Sequence, residues 1–251
     1  MTAADDIDRI APTVRPGGRA AMRQRWSRLL FLHWPIPAEE LRPLLPRGLA
    51  LDTYAGQAWV GLVPFVVTGA RPVFLPSMPG VSSFVEVNVR TYVHHGGRDP
   101  GVWFFSLDAS SRVAVHVART LYHLPYRFAK MASDVHGSRV RFRSRRIAPG
   151  ARPGTCAVEY EPRGAVAPAR PGTLEHFLLE RYILYAAHGG RLYQGRVHHA
   201  PYPMQEAAMD GLAEDLIAVA GLVRPPRDPL VHYASGVDVE VFALTALTCS
   251  S

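Results

Sequence analysis

The chain has 251 residues, 48% of them hydrophobic, and a formal net charge of +7 carried almost wholly by arginine, since Lys130 is the only lysine. That length suits one large all-β or α+β domain, or two small ones, with a sizeable core. Composition excludes a membrane-crossing helix, because no apolar run approaches ~18 residues. It also excludes a disulfide framework, because the only cysteines are Cys156 and Cys249, which fits a reducing, cytoplasmic setting.

Residues 1 to 21 are polar and contain Pro and Gly, so a disordered tail is expected there, with a single domain over 22–251. Acids near the start and the lack of an apolar stretch argue against a secretory signal. RQRWSRLLFLHW then places apolar side chains on both parities, which predicts a strand buried on both faces. PIPAEELRPLLPRG predicts a short helix with Glu39 and Glu40 in its first turn, stopped by Pro46 and Gly48. Gln57–Val67 and Ser83–Val93 predict further strands. The loop between them, RPVFLPSMPG, is too apolar for a mere linker. His95-Gly96-Gly97 makes a turn into the next element.

That element, GVWFFSLDASSRVAVHVARTLYHLPY, begins with a buried strand over Val102–Leu107. Asp108 offers an N-cap to a helix whose apolar stripe is Ala109, Val113, Val117 and Leu121. Pro125 ends that helix. Its far end delivers Tyr122, His123 and Tyr126 to one loop, where they either line a ligand cavity or roof the core.

Beyond it, Arg139, Arg141, Arg143 and Arg145 alternate with Val140, Phe142 and Ser144, so one strand face is a row of guanidiniums. Glu159 and Glu161 share a face on the following strand, across from Arg141 and Arg139, and a solvated ion-pair face is the expectation. No zinc-finger, RNP-type or helix-turn-helix signature supports nucleic-acid binding. Thr173 caps a predicted helix over LEHFLLERYILYAAH, terminated by Gly189 and Gly190. Arg181 falls inside its apolar face, where a charge must be paired, either by a structural carboxylate or by an anionic ligand. In all, about ten strands and three or four helices are predicted.

Among chemical motifs there is no Gly-rich phosphate loop, no G-x-S-x-G and no H-E-x-x-H, so neither a cofactor nor a metal is expected. His94-His95 and His198-His199 are adjacent pairs that point to opposite faces of a strand. Cys156 sits on a strand without an activating partner and reads as an inert, buried thiol. In SSFVEVNVR, parity puts Phe84, Glu86, Asn88 and Arg90 on one face and three valines on the other. Glu86 and Arg90 are then either a surface pair or a polar patch inside a closed sheet.

The ordered series RQRW…LLFLHWPIPAEELRPLLPRGL, WVGLVPF, VEVNVRTYV, PGVWFFSLDA, LYHLPY, LEHFLLERYILY, HHAPYPMQ and HYASGVDVEV resembles the YqjF-like family of uncharacterised bacterial proteins over about Met22 to Leu244. That family is similar, more distantly, to acetoacetate decarboxylase. The resemblance implies an α+β fold, mostly antiparallel β, forming a cone-shaped barrel around a small cavity with helices at its margins. It also implies that Glu86 matches the strand acid facing that cavity, which favours an interior position.

Acetoacetate decarboxylase forms a Schiff base through a lysine after a Tyr-Pro pair. The comparable stretch here, Leu124-Pro125-Tyr126-Arg127, has no lysine, so the nucleophile is not carried over.

The resulting expectation is an enzyme of the lyase or isomerase type that moves protons on a carbonyl- or carboxylate-bearing small molecule. Glu86, His123 and Tyr126 are the catalytic candidates, and Arg90, Arg181 and Tyr122 the substrate-binding ones. A non-catalytic small-molecule binder on the same fold is the alternative. No nucleic acid or membrane partner is expected, and self-association is left open.

Overall fold

The computed structural model describes residues 7–78, 80–147, 150 and 152–247. Among them run thirteen strands. In chain order these are β1 (Met22–Ile36), β2 (Leu49–Leu51), β3 (Ala58–Pro72), β4 (Phe84–His95), β5 (Arg98–Ala109), β6 (Tyr126–His136) and β7 (Arg139–Arg146). β8 (Thr155–Ala167), β9 (Ile183–His188), β10 (Arg191–His198), β11 (Met204–Glu214), β12 (Leu230–Val241) and β13 (Thr245–Ala246) follow. Four short α-helices punctuate them: α1 (Ala38–Leu41), α2 (Arg112–Leu121), α3 (Leu174–Leu179) and α4 (Leu216–Val219). No helix is long and apolar enough to cross a membrane.

The strands form one sheet whose pairings close into two rings of strands. One ring runs β5-β6-β7-β8-β11-β12-β1-β3-β4 and back to β5; the other runs β12-β1-β3-β4-β5-β9-β10 and back to β12. β12, β1, β3, β4 and β5 belong to both, so each has a core on either side. Period-two alternation divides their side chains between those cores. On β1, Leu29 and Phe31 enter one core while Leu30, Leu32 and Trp34 enter the other. On β3, Trp59, Val63 and Phe65 oppose Val60 and Leu62 in the same way. This is the physical reason that the sequence is apolar on both parities here.

Three sequence expectations change. Asp108 does not cap α2: Ser111 does, accepting from the Ala114 amide at 3.2 Å. Asp108 is fully buried and accepts from Arg146 Nε at 2.9 Å, and the same guanidinium reaches Ser106 Oγ at 2.6 Å. The helix predicted over 174–188 stops at Leu179. Glu180 leaves helical geometry, its carboxylate accepting from the Tyr182 hydroxyl and, at 2.9 Å, from the Tyr202 amide. Ile183 to His188 then pair with β10 and, at two residues, with β5. Gly101 permits that contact, because a Cβ there would lie 2.6 Å from the Ile183 carbonyl oxygen.

Residues 7–21 are not the free tail that composition suggests. Ile7 and Ala20 are buried, Arg9 pairs with Asp52, and Arg15 reaches Glu240 at 2.6 Å. Those ion pairs join residues too distant in sequence to be foreseen. Residues 1–6 and Cys249 lie outside the described residues.

The arginine row faces out and is ion-paired. Arg141 meets Glu159 at 2.8 Å directly across the β7–β8 pairing, Arg139 shares Glu159 and Asp210, and Arg143 meets Asp134. Glu161 pairs instead with Arg163 and Ser138. Cys156 is buried, and burial pushes its thiol well above the usual range.

Because Asp108 and Arg146 are a buried pair, removing one leaves the other uncompensated. Asp108→Ala should therefore destabilise the fold by about 3–5 kcal/mol in urea denaturation. Replacing Arg139 and Arg141 together by glutamine should leave the denaturation midpoint essentially unmoved.

Candidate functional site

On β4, alternation sends Val87 and Val89 into one core, so Glu86, Asn88 and Arg90 must enter the other side. That side holds a cavity of ≈ 540 Å³ onto which all three polar residues open. Its walls are apolar and aromatic, with Leu29, Phe31, Val63, Phe65 and Phe104 among them. Its mouth lies between α2 and the apolar segment 73–78, where Phe74, Leu75, Met78, Val113 and Leu121 combine cavity lining with solvent exposure. The loop that reads as too apolar for a linker is one lip of this mouth.

Glu86 is 5% exposed, and the Tyr126 hydroxyl donates to its Oε2 at 2.9 Å. Burial raises the Glu86 carboxyl to about 8, against the opposing pull of the Tyr126 hydrogen bond and with a further push from Asp108. Burial, and after it the neighbouring Glu86, holds the Tyr126 hydroxyl well above its ordinary range. Glu86 is therefore mostly protonated at neutral pH, yet close enough to its midpoint to exchange a proton.

Arg90 lies four residues further along β4, away from the α2 end where Glu86 pairs with Ala109, and is 8% exposed. Its Nη2 donates to the Leu178 carbonyl at 3.1 Å, and the guanidinium lies 5.7 Å from the ring centres of Phe31 and Tyr92. No carboxylate among the described residues lies within ion-pair distance, and its Nε has no hydrogen-bond partner. Below it, the Tyr92 hydroxyl donates to the same carbonyl at 2.8 Å and meets His33 Nε2 at 2.7 Å. Burial, with Arg90 adding to it, holds His33 well below its ordinary range and so neutral. Asn88 is buried, and its Oδ1 is also without a partner.

Of the six site residues expected from sequence, Glu86, Arg90, Tyr122 and Tyr126 line the cavity. His123 does not: it takes φ 52° at the end of α2, and its ring stacks on His188 at 4.2 Å and meets Tyr193 at 5.0 Å. Arg181 does not either. It donates to Asp52 at 2.6 Å and to the Phe177 carbonyl at 2.7 Å, so its partner is structural. Lys130, further along β6, is exposed and does not line the cavity. Tyr202, on the cavity wall, was not anticipated; its only sequence signal is a Pro-flanked corner. No cluster of His, Cys, Asp and Glu suited to a metal ion occurs among the described residues.

Two rings that share five strands, with the cavity on one side of them, form an acetoacetate decarboxylase-like fold. Acetoacetate decarboxylase from Legionella pneumophila is similar with a TM-score of 0.64 and 11% identity, covering 95% of this chain and 94% of that one. The enduracididine biosynthesis enzyme MppR complexed with pyruvate is similar with a TM-score of 0.60 and 15% identity, covering 94% and 93%. At these identities the likeness concerns the fold. The family model described as "Uncharacterized conserved protein (COG2071)", DUF2071, matches residues 23–238, and the chain belongs to that family. The uncharacterized protein YqjF of Bacillus subtilis is 41% identical over 224 residues, 89% of this chain and 91% of that protein.

The raised Glu86 carboxyl ties stability to pH. Below about 4.5 both folded and unfolded chains carry its proton; between 4.5 and about 8 only the folded chain does; above that neither does. Stability from this group is thus complete in acid and lost as pH rises through that window, at up to about 1.4 kcal/mol per pH unit. Glu86→Gln cannot titrate there. Its stability should gain on that of the unmodified protein from pH 5 to 8 in urea denaturation, and parallel profiles would refute a buried, raised Glu86.

Proposed function

We propose that this chain is an enzyme moving a proton on a carbonyl- or carboxylate-bearing small molecule, with Glu86 as acid and base and without a Schiff-base lysine. The observation that supports this most is the carboxyl itself, buried in a cavity, held by Tyr126 and raised to about 8. A base of that strength is matched to proton exchange near neutrality. The ionised fraction takes a proton from carbon beside a carbonyl. The acid so formed returns it to a second carbon in an isomerisation, or to a departing hydroxyl in a dehydration. The proton is conserved on one residue, so no second base is needed.

Arg90 holds the substrate's carboxylate, since a buried guanidinium without a carboxylate partner suits that task. Tyr126 orients Glu86, and Tyr122 borders the mouth. MppR, on a similar fold, is described with pyruvate bound, and a keto acid is accordingly the first class to try. Covalent amine chemistry is disfavoured because the single lysine side chain lies outside the cavity. A cavity of ≈ 540 Å³ suits a small molecule rather than a nucleic acid.

The test is a panel of keto acids, from pyruvate to aryl-substituted ones, followed by NMR in D2O. Deuterium should enter carbon beside the carbonyl or a product should form, rising with pH towards about 8, and Glu86→Gln should lower the rate by at least about 100-fold. Borohydride added to the mixture should leave the intact protein mass unchanged. An adduct on Lys130 would overturn the proton-transfer reading. Tight binding with no exchange would instead identify a non-catalytic binder.

A further inference from the structure

We infer that the molecule this cavity takes is an extended carboxylate with an apolar body, its carboxylate deep at Arg90 and its reacting carbon nearer the mouth. The inference rests on the reading of the cavity given above and adds the substrate's length and polarity. Glu86 and Arg90 point the same way from one strand but are four residues apart, so their Cα atoms are separated by about 13 Å.

Their side chains do not converge. The Arg90 guanidinium lies beside Tyr92, further along β4, and bonds the Leu178 carbonyl on α3. The Glu86 carboxyl leans instead towards Tyr126, at the start of β6 just beyond α2. A ligand that meets both groups must therefore span the wall between them.

Between the two ends the walls are Phe31, Val63, Phe65, Phe104 and Leu107, with Asn88 as the one polar step on β4. Beyond Glu86 the mouth is rimmed by Phe74, Leu75, Met78, Val113 and Leu121, side chains that ordinarily avoid water yet are exposed here. Apart from this ladder on β4, Gln24, Arg71, Ser82 and three tyrosines, the lining is apolar. An alkyl or aryl carboxylate satisfies that layout: its head group neutralises the buried guanidinium, and its tail covers the apolar rim.

The experiment is isothermal titration of the full chain with butanoate, hexanoate, decanoate, 4-phenylbutanoate and decanol. Decanoate should bind at least about 100-fold more tightly than butanoate, as burial of six more methylenes requires. It should also outbind decanol about tenfold or more, and Arg90→Gln should erase that preference while decanol still binds. The acid-to-alcohol ratio in the unmodified protein tests the head group even if the Arg90 variant fails to fold. Val113→Asp, on the exposed face of α2, should weaken decanoate and spare butanoate.

Equal affinity for butanoate and decanoate, or for decanoate and decanol, would overturn the inference. If the length dependence holds but no deuterium exchange occurs, the ligand class stands and catalysis falls. If Glu86-dependent exchange runs equally well on pyruvate, catalysis stands and the ligand class falls.

Discussion

The sharing of five strands between two closed rings is the constraint on which the rest of the structure depends. A strand in an open antiparallel sheet can keep one face wet, and polar side chains on that face need no partner. β12, β1, β3, β4 and β5 have no such face over most of their length, because each parity enters a core. Where both faces are buried, every polar group must then be bonded within the protein or open onto an internal cavity. Three in succession on β4, Glu86, Asn88 and Arg90, open onto one. The fold thus converts a simple alternation into a ladder of functional groups along one wall.

Buried arginines among the described residues differ in whether they have a carboxylate partner. Asp52 is fully buried and holds Arg181 from the end of α3 and Arg9 from the N-terminal segment, with both guanidiniums also lying over Phe177. Asp108 holds Arg146 across the other ring. Each of these pairs joins elements far apart in the chain, and losing one member would leave a charge stranded, which is the costly event. Arg90 has no carboxylate of its own, and Glu86 has only a hydroxyl. Selection for stability alone gives no reason to keep two such groups in an apolar interior.

How far this was legible in the sequence follows from which interactions are local. Apolar residues on both parities of 23–34 announced a strand with two dry faces, and the valines at 85, 87 and 89 fixed which side Glu86 and Arg90 share. The turn at Gly96-Gly97 and the short helix near 38 were equally readable from turn chemistry and flanking prolines.

What sequence could not supply was tertiary pairing. Asp108 precedes a helical pattern and looks like a cap until Arg146, on β7, is brought to it. The run from Leu174 to His188 has helical spacing throughout. Sheet pairing of Ile183–His188 and the two hydrogen bonds accepted by Glu180 outweigh that propensity. His123 was assigned to the cavity because it sits between Tyr122 and Tyr126, but a left-handed residue at a helix end reverses the side chain's direction.

The separation of Glu86 from Arg90 also explains the state of the acid. An arginine about 4 Å from a carboxylate at an effective dielectric of 20 contributes roughly 4 kcal/mol, about three pKa units. Placed that close, Arg90 would return Glu86 to the ordinary carboxylate range and fix it as a permanent anion in a permanent pair. Instead the causes acting on Glu86 are burial, the Tyr126 hydroxyl and the like charge of Asp108, and Arg90 is not among them. Distance along β4 therefore does two things with one geometry. It keeps the guanidinium free of the protein's own carboxylate, and it keeps that carboxylate basic enough to take and return a proton. A ligand carboxylate at Arg90 would screen what little of the guanidinium's field reaches Glu86, so binding would push the acid further up rather than down.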